Sequence, residues 1–177
     1  ATNVKYKGQQ YVIRALAKMK KSGITNFQYQ LIGEGDITYL KSLANRLDLS
    51  DEVKFLGKMN HQEIFLWLDS LDAYIQPSKT EGLPRAVVEA MSRGLICFGT
   101  RVGGIPELLE PEYLFSKSNR GVHEIVALLK ALNKEAMILQ ARRNFEESKK
   151  YSKFVLDKRR RDFFELFCSN ISGDTRQ

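Results

Sequence analysis

Two carboxylates, Glu81 and Glu89, stand eight positions apart in the stretch PSKTEGLPRAVVEAMSRGLICFGTRVGGIPELL, residues 77–109. Pro84 suits the first turn of a helix, so one acid belongs to the loop ahead of that helix and the other lies inside it. At 1.5 Å per residue Glu89 sits roughly 8 Å along the axis. With Glu81 back at the loop mouth, the separation is expected to exceed the ~5–9.5 Å of a glycosidase carboxyl pair, and the helix N-terminus between the two acids offers amides to an anion. Each acid could then hold hydroxyls on one side of a diphosphate, because ionised carboxylates make strong hydrogen bonds to hydroxyl groups. A nucleotide-sugar, with sugar, diphosphate and ribose in order, has that layout. A helix-capping Glu81 and a solvated Glu89 would account for the same residues without any ligand.

Three glycine-containing loops accompany the acids: Gly33-Glu34-Gly35, Glu81-Gly82-Leu83-Pro84 and Gly103-Gly104-Ile105-Pro106. Each follows an expected strand. In open parallel sheets ligands bind beyond the carboxyl ends of the strands, where such loops let backbone amides approach. Ordinary turn chemistry would also use glycine and proline here. A dinucleotide fingerprint does not fit, since GEGDIT (33–38) has threonine where the third glycine is needed, and no phosphate-binding G-x-x-x-x-G-K-[ST] occurs.

The elements that must position these residues alternate. Val12, Leu16 and Met19 mark one helical face, followed by a strand at 27–35 and a helix carrying Tyr39, Leu40, Leu43, Ala44 and Leu47. Then come a strand at 53–57, a helix with Ile64, Phe65, Leu68 and Leu71, a strand at 73–76, the helix after Pro84 and a strand at 95–99. A short helix after Pro106, a short strand at 113–115 and a helix with Val122, Ile125, Val126 and Leu129 complete the series. Strands that read as short apolar runs between helices indicate an α/β fold, a Rossmann-like parallel sheet with helices on both faces. Residues 1–135 are expected to form this domain, and 136–177 a helical C-terminal extension packing on it or on a neighbouring domain. The first helix begins by about Gly8, so the strand that should precede it is expected to be missing from these residues.

The 177-residue length suits one such domain, and 43% hydrophobic with 28% charged residues describes a globular protein. Two cysteines, Cys97 and Cys168, suit a reducing compartment. Neither a signal peptide nor an apolar run of the ~18 residues needed to span a bilayer is present, so a cytoplasmic location is expected. The net charge of +7 is local: Arg142 to Arg161 holds nine Lys or Arg against three acids. That segment reads as a solvated face or as a surface for an anionic membrane on the inner leaflet. No aromatic-interleaved basic motif or finger spacing supports nucleic acid.

The 77–109 stretch resembles the signature of the retaining group 1 (family 4) glycosyltransferases of GT-B fold, whose E-x7-E motif lies in the C-terminal, donor-binding domain. The likeness continues through Lys7-Gly8, Gly33-Glu34-Gly35 and VKFLGKMNHQEI (53–64), covering about residues 5 to 115. The resemblance implies that Glu81 contacts the donor hexose, that Glu89 holds the ribose hydroxyls and that Lys7 neutralises the diphosphate. It places Gly33, Gly35, Gly82, Leu83, Pro84, Arg85, Gly103 and Gly104 around the donor, the base near Phe55, Leu56 and Gly57, and Glu107 in support of its loop. It further implies transfer of a hexosyl group, with retention and without a metal or cofactor, from a UDP- or GDP-sugar to a glycan, lipid-linked or other cell-envelope acceptor. The acceptor would be held by an N-terminal domain absent from these residues, without which no transfer is expected. Two departures stand out. Many members read E-x-F-G where Leu83-Pro84 stands here, and proline cannot donate a backbone hydrogen bond. The family's arginine ahead of the lysine would fall at Ala1 or Thr2. His61 and His123 match no motif and read as surface or core residues. A non-catalytic nucleotide-sugar-binding module, or a GT-B phosphorylase or epimerase, are the alternatives.

Overall fold

The computed structural model describes residues 4–173, which leaves Ala1 and Thr2 outside the described residues. The chain runs α1 (Val4–Lys7), α2 (Gln9–Lys21), β1 (Tyr29–Ile32), α3 (Thr38–Arg46), β2 (Val53–Gly57), α4 (His61–Asp69) and β3 (Ala73–Gln76). It continues α5 (Arg85–Ser92), β4 (Ile96–Thr100), α6 (Ile105–Leu108), β5 (Leu114–Phe115), α7 (Asn119–Lys130), α8 (Lys134–Ser148) and α9 (Lys153–Gly173). Every strand pair is parallel. The strand expected at 27–35 is shorter, because Gly33 and Gly35 adopt φ of 137° and 127° and turn the chain out of the ladder.

Why the sheet is covered on both faces follows from β4. Successive side chains of a strand point to opposite faces, and all five residues of β4 are buried. Ile96 and Phe98 join one apolar cluster with Val12, Ile13 and Leu16 of α2, Leu40 of α3, and Val122 and Ile125 of α7. Cys97 joins the other, with Leu68 of α4, Val87 and Met91 of α5, and Ile105 and Leu108 of α6. Burial raises the Cys97 thiol well above its usual pKa, so it behaves as a small apolar side chain.

Local chemistry fixes the helix starts. Asn60 and Glu63 form a reciprocal capping box on α4, with the Glu63 amide donating to Asn60 Oδ1 at 3.0 Å and the Asn60 amide to Glu63 Oε2 at 2.7 Å. Between α1 and α2, Gly8 takes φ of 69°, and a Cβ there would lie 1.8 Å from the Pro77 carbonyl oxygen. Only a residue without a side chain lets the two backbones approach so closely. The amide of Lys79 donates to the Tyr6 carbonyl at 2.8 Å across the same junction.

The strands form two ladders, β1-β2 and β3-β4-β5, with no backbone hydrogen bond joining β1 to β3 among the described residues. The basic segment also divides. Helix α8 sits against α5 and β4 through buried polar groups: Asn144 Nδ2 donates to the Leu95 carbonyl at 2.8 Å, and Arg143 donates to the Leu108 carbonyl. Helix α9 is largely exposed, with Phe154, Phe163, Phe164 and Phe167 all more than half open to solvent.

Alanine at Gly8 and at Gly23 should separate strain from close approach. Gly23 has φ of 85° but nothing within 4 Å of the place a methyl group would occupy, so Gly23→Ala should cost about 1–2 kcal/mol of left-handed strain alone. Gly8→Ala adds the collision with Pro77 and should cost more. Urea unfolding of both variants checks this, and equal losses would show that the Gly8 contact carries no stability.

Candidate functional site

The carboxyl ends of β1, β3 and β4 deliver the three glycine loops to one edge of the molecule. Gln76 ends β3, and the buried Pro77 and Ser78 carry the chain toward Glu81. Glu81 Oε1 accepts three hydrogen bonds: from Lys7 Nζ at 2.7 Å, Gln76 Nε2 at 2.8 Å and Ser78 Oγ at 2.6 Å. Gln76 is itself oriented by the Tyr74 hydroxyl, which donates to its Oε1 at 2.6 Å. Thr100 Oγ1, at the end of β4, donates to the Ser78 carbonyl. The 78–81 turn is thus tied to two neighbouring strands and to α1.

Charge in this cluster is nearly balanced. Burial of the Glu81 carboxyl would raise its pKa, but the hydrogen bonds from Lys7, Ser78 and Gln76 outweigh it and hold the group below the usual carboxylate range. Lys7 remains about 40% exposed while Glu81 is 14% exposed. The ammonium therefore sits at the solvent side of the pair, where an incoming anion can reach it.

The loop after β4 packs on this turn. Gly103 has φ of 52°, and a Cβ there would fall 1.7 Å from the Glu81 carbonyl oxygen; one on Gly104 would fall 2.7 Å from that of Gly82. The Gly104 amide donates to the Gly82 carbonyl at 3.1 Å. Glycine is demanded at both positions by backbone packing, quite apart from any ligand.

The remaining expected residues divide between two adjoining clefts. Glu89, half-buried on α5, borders a cleft of about 330 Å³ together with Lys7, Gln76 and Pro77. Gly33, Gly35, Phe55 and Gly57 border a second, of about 380 Å³. Gln9, Leu31 and Ile32 belong to both. The Gly33 amide donates to the Gly57 carbonyl at 2.8 Å, which holds the first glycine loop on the end of β2. Leu56, Gly82, Leu83 and Arg85 are exposed, and Pro84 is buried as the residue capping α5. Glu107 is exposed on α6. His61 is exposed with its ring edge-on to Phe65 at 4.8 Å, and His123 is exposed on α7. Gln76, Ser78 and Thr100 were not anticipated from the sequence. The signal for them was polar residues closing otherwise apolar strands, in AYIQPS and ICFGT.

The model for glycosyl transferases group 1 matches residues 2–151. The chain belongs to the group 1 glycosyltransferases. It is 32% identical over 152 residues to protein CapJ of Staphylococcus aureus, covering 85% of this chain and 37% of CapJ. It is 39% identical over 111 residues to the amylovoran biosynthesis glycosyltransferase AmsK of Erwinia amylovora, covering 59% of this chain and 27% of AmsK. Its fold matches the crystal structure of Anabaena Alr3699/HepE in complex with UDP-glucose, with a TM-score of 0.80 at 20% identity over 94% of this chain and 47% of that one. The chain thus spans well under half the length of the curated relatives it matches. Its architecture is the parallel α/β half of a GT-B glycosyltransferase with a helical C-terminal tail.

The depressed Glu81 carboxyl sets the sign of an acid effect. Its stabilisation is complete above the unfolded value near ~4.3 and is lost as pH falls through the lower folded value. Thermal midpoints of wild type and Glu81→Gln, followed from about pH 7 to about pH 3, should therefore converge on acidification. A gap that stays constant would show that the ionised form of Glu81 is not what holds the turn.

Proposed function

We propose that this chain is the donor-binding half of a retaining hexosyltransferase that takes a nucleoside diphosphate sugar. The observation that carries the reading is the Lys7–Glu81 pair at the carboxyl ends of β3 and β4, beside the interlocked Gly82 and Gly103-Gly104 loops. The likeness to HepE, a protein crystallised with UDP-glucose, supports the choice of donor class.

In this reading Lys7 exchanges Glu81 Oε1 for a phosphate oxygen when donor arrives. The released carboxylate keeps its bonds from Gln76 and Ser78, which hold it in place to accept hydroxyls of the hexose. Glu89 holds the ribose hydroxyls, and the base lies toward Phe55 and Gly57 in the adjoining cleft. During transfer the bond from the anomeric carbon to the donor phosphate oxygen breaks, a bond to an acceptor hydroxyl oxygen forms, and the acceptor proton passes to an oxygen of the departing diphosphate. Negative charge develops on the departing diphosphate, and Lys7 with the amides of Ala86 and Gly103 opposes it. Such preorganised donors act where charge appears and require no reorganisation at the moment of reaction. No metal takes part in this mechanism.

The acceptor, a glycan or lipid-linked envelope component, is assigned to a separate domain facing this edge. The basic and aromatic surface of α9 would dock on that domain or on an anionic membrane. Because aligned reactants alone contribute about 7–11 kcal/mol, residues 1–177 by themselves should bind nucleotide and leave transfer at background.

Two measurements test the proposal. Glu89→Gln should weaken UDP or GDP binding by about 1–3 kcal/mol, the scale of a lost charge-assisted hydrogen bond, and unchanged affinity for both nucleotides would remove Glu89 from the ribose. The full-length polypeptide, offered a panel of UDP- and GDP-sugars with an envelope-glycan acceptor, should give a product whose anomeric configuration matches the donor's. An inverted product would contradict retention, and binding without any product across the panel would favour a non-catalytic module.

A further inference from the structure

Away from the donor edge, helices α2, α3 and α7 border a groove of about 450 Å³ that shares no lining residue with either cleft described above. Arg14, Lys18 and Lys21 line it from α2. Spaced at i, i+4 and i+7, they fall on one face of that helix, so three positive charges converge on a single opening. His123 borders the same groove from α7 and adds a ring N–H donor. The apolar part of the lining comes from Leu43 and Leu47 of α3 and Val122 of α7.

Counter-charge is what the groove lacks. No Asp or Glu lines it, and Arg14, Lys18, Lys21 and His123 have no side-chain hydrogen bond or ion pair among the described residues. Lys20, on the same helix, instead meets Glu52 at 2.7 Å, and Arg93 grips Asp69 through two bonds of 2.6 Å. Glu124, one turn along α7 from Arg120, is already engaged by the Ser116 amide at 2.6 Å and by Arg120 at 2.9 Å. The macrodipole of α2 accounts for lysines in its last turn, but not for Arg14 at mid-helix. Nor does it account for cations beside the first turn of α7, which carries no acid of its own. Like charges at i, i+3 and i, i+4 destabilise a helix, and an anion held between them removes that repulsion.

We infer that this groove binds a phosphate-bearing ligand, with the phosphate on Arg14, Lys18 and Lys21 and the uncharged part of the ligand against Leu43, Leu47 and Val122. A guanidinium fork matches two phosphate oxygens, and ammonium groups act beside it as point charges. Three full charges exceed what one carboxylate would neutralise. The volume lies within the ~300–1,000 Å³ of small-molecule sites and leaves room for more than a bare ion. A soluble phosphomonoester and a phospholipid headgroup present the same chemistry to these side chains. The inference does not depend on which donor is bound at the other edge.

The first arm of the test follows the amide NMR spectrum of this chain during titration with phenyl phosphate, and with phenol as the uncharged control. Amides of Arg14–Lys21 and Asn119–His123 should shift saturably with phenyl phosphate and not with phenol. Replacing Lys18 and Lys21 together by Gln should weaken that binding by at least about tenfold, and Arg14→Gln should weaken it too. Lys130→Gln, at the far end of α7, should leave it unchanged. Any unfolding of Arg14→Gln is visible in the same spectra, and the two exposed lysines then carry the test. The second arm is co-sedimentation with phosphatidylcholine vesicles made with and without phosphatidylglycerol. Binding of phenyl phosphate alone assigns the groove to a soluble ligand, whereas binding only to phosphatidylglycerol vesicles, lost in the lysine double variant, assigns it to a lipid headgroup. The inference is overturned if neither probe binds in a way that depends on these cations, or if Lys130→Gln costs as much as the double variant. Shifts confined to Lys7 and the glycine loops would overturn it equally, by placing the anion at the donor edge.

Discussion

A single carboxylate oxygen, Oε1 of Glu81, receives hydrogen bonds from Lys7, Gln76 and Ser78, and the geometry of the candidate site follows from that convergence. Gln76 belongs to the end of a strand, Ser78 to the turn beyond it and Lys7 to a helix at the other end of the sequence. A buried acceptor leaves little freedom to its donors, because an unmade bond would cost the desolvation of each group. The 78–81 turn is consequently held in one shape, and the Gly103-Gly104 loop can pack directly on its backbone. Within this arrangement the ion pair is open to solvent on its Lys7 side. It keeps the ammonium near the place where an anion would arrive while protecting a half-desolvated acid.

The same convergence explains why two strand ends and a remote helix must agree in position. Thr100 fixes the Ser78 carbonyl from β4, and Gly8 allows the α1–α2 junction to press on Pro77. Neither residue touches the acid itself. A change at either would be felt at Glu81 through backbone displacement, since a methyl group at Gly8 has no space that does not belong to the Pro77 carbonyl.

Much of the framework was legible in the sequence because apolar periodicity dictates it. The runs VKFLG, AYIQ and ICFG, separated by amphipathic helical segments, specify parallel strands, and β4, buried along its whole length, divides its side chains between two cores. The glycine loops were legible as loops, but their role was only half visible. Gly103 and Gly104 are required by contact with the backbone of residues 81 and 82, a fact of tertiary packing that no local pattern records. Gln76 and Ser78 were missed for a related reason: a polar residue closing a strand looks like an ordinary boundary until its partner arrives from elsewhere in the chain. The basic stretch from Arg142 to Arg161 read as one segment, yet it is cut by packing. Asn144 and Arg143 are drawn onto the start of β4 and onto α6 by hydrogen bonds, whereas the aromatic side chains of the following helix stand largely exposed.

In the proposed function, donor binding at this edge turns on whether Lys7 leaves Glu81 for a diphosphate. Calorimetric titration of UDP and GDP into Lys7→Met and Glu81→Gln variants measures this most directly. If the ammonium is the phosphate ligand and the carboxylate its resting partner, Lys7→Met should weaken binding by roughly tenfold or more, the scale of a lost charged hydrogen bond. Glu81→Gln, by freeing the ammonium, should leave affinity unchanged or raise it. Equal weakening by the two substitutions, or none by Lys7→Met, would contradict the exchange.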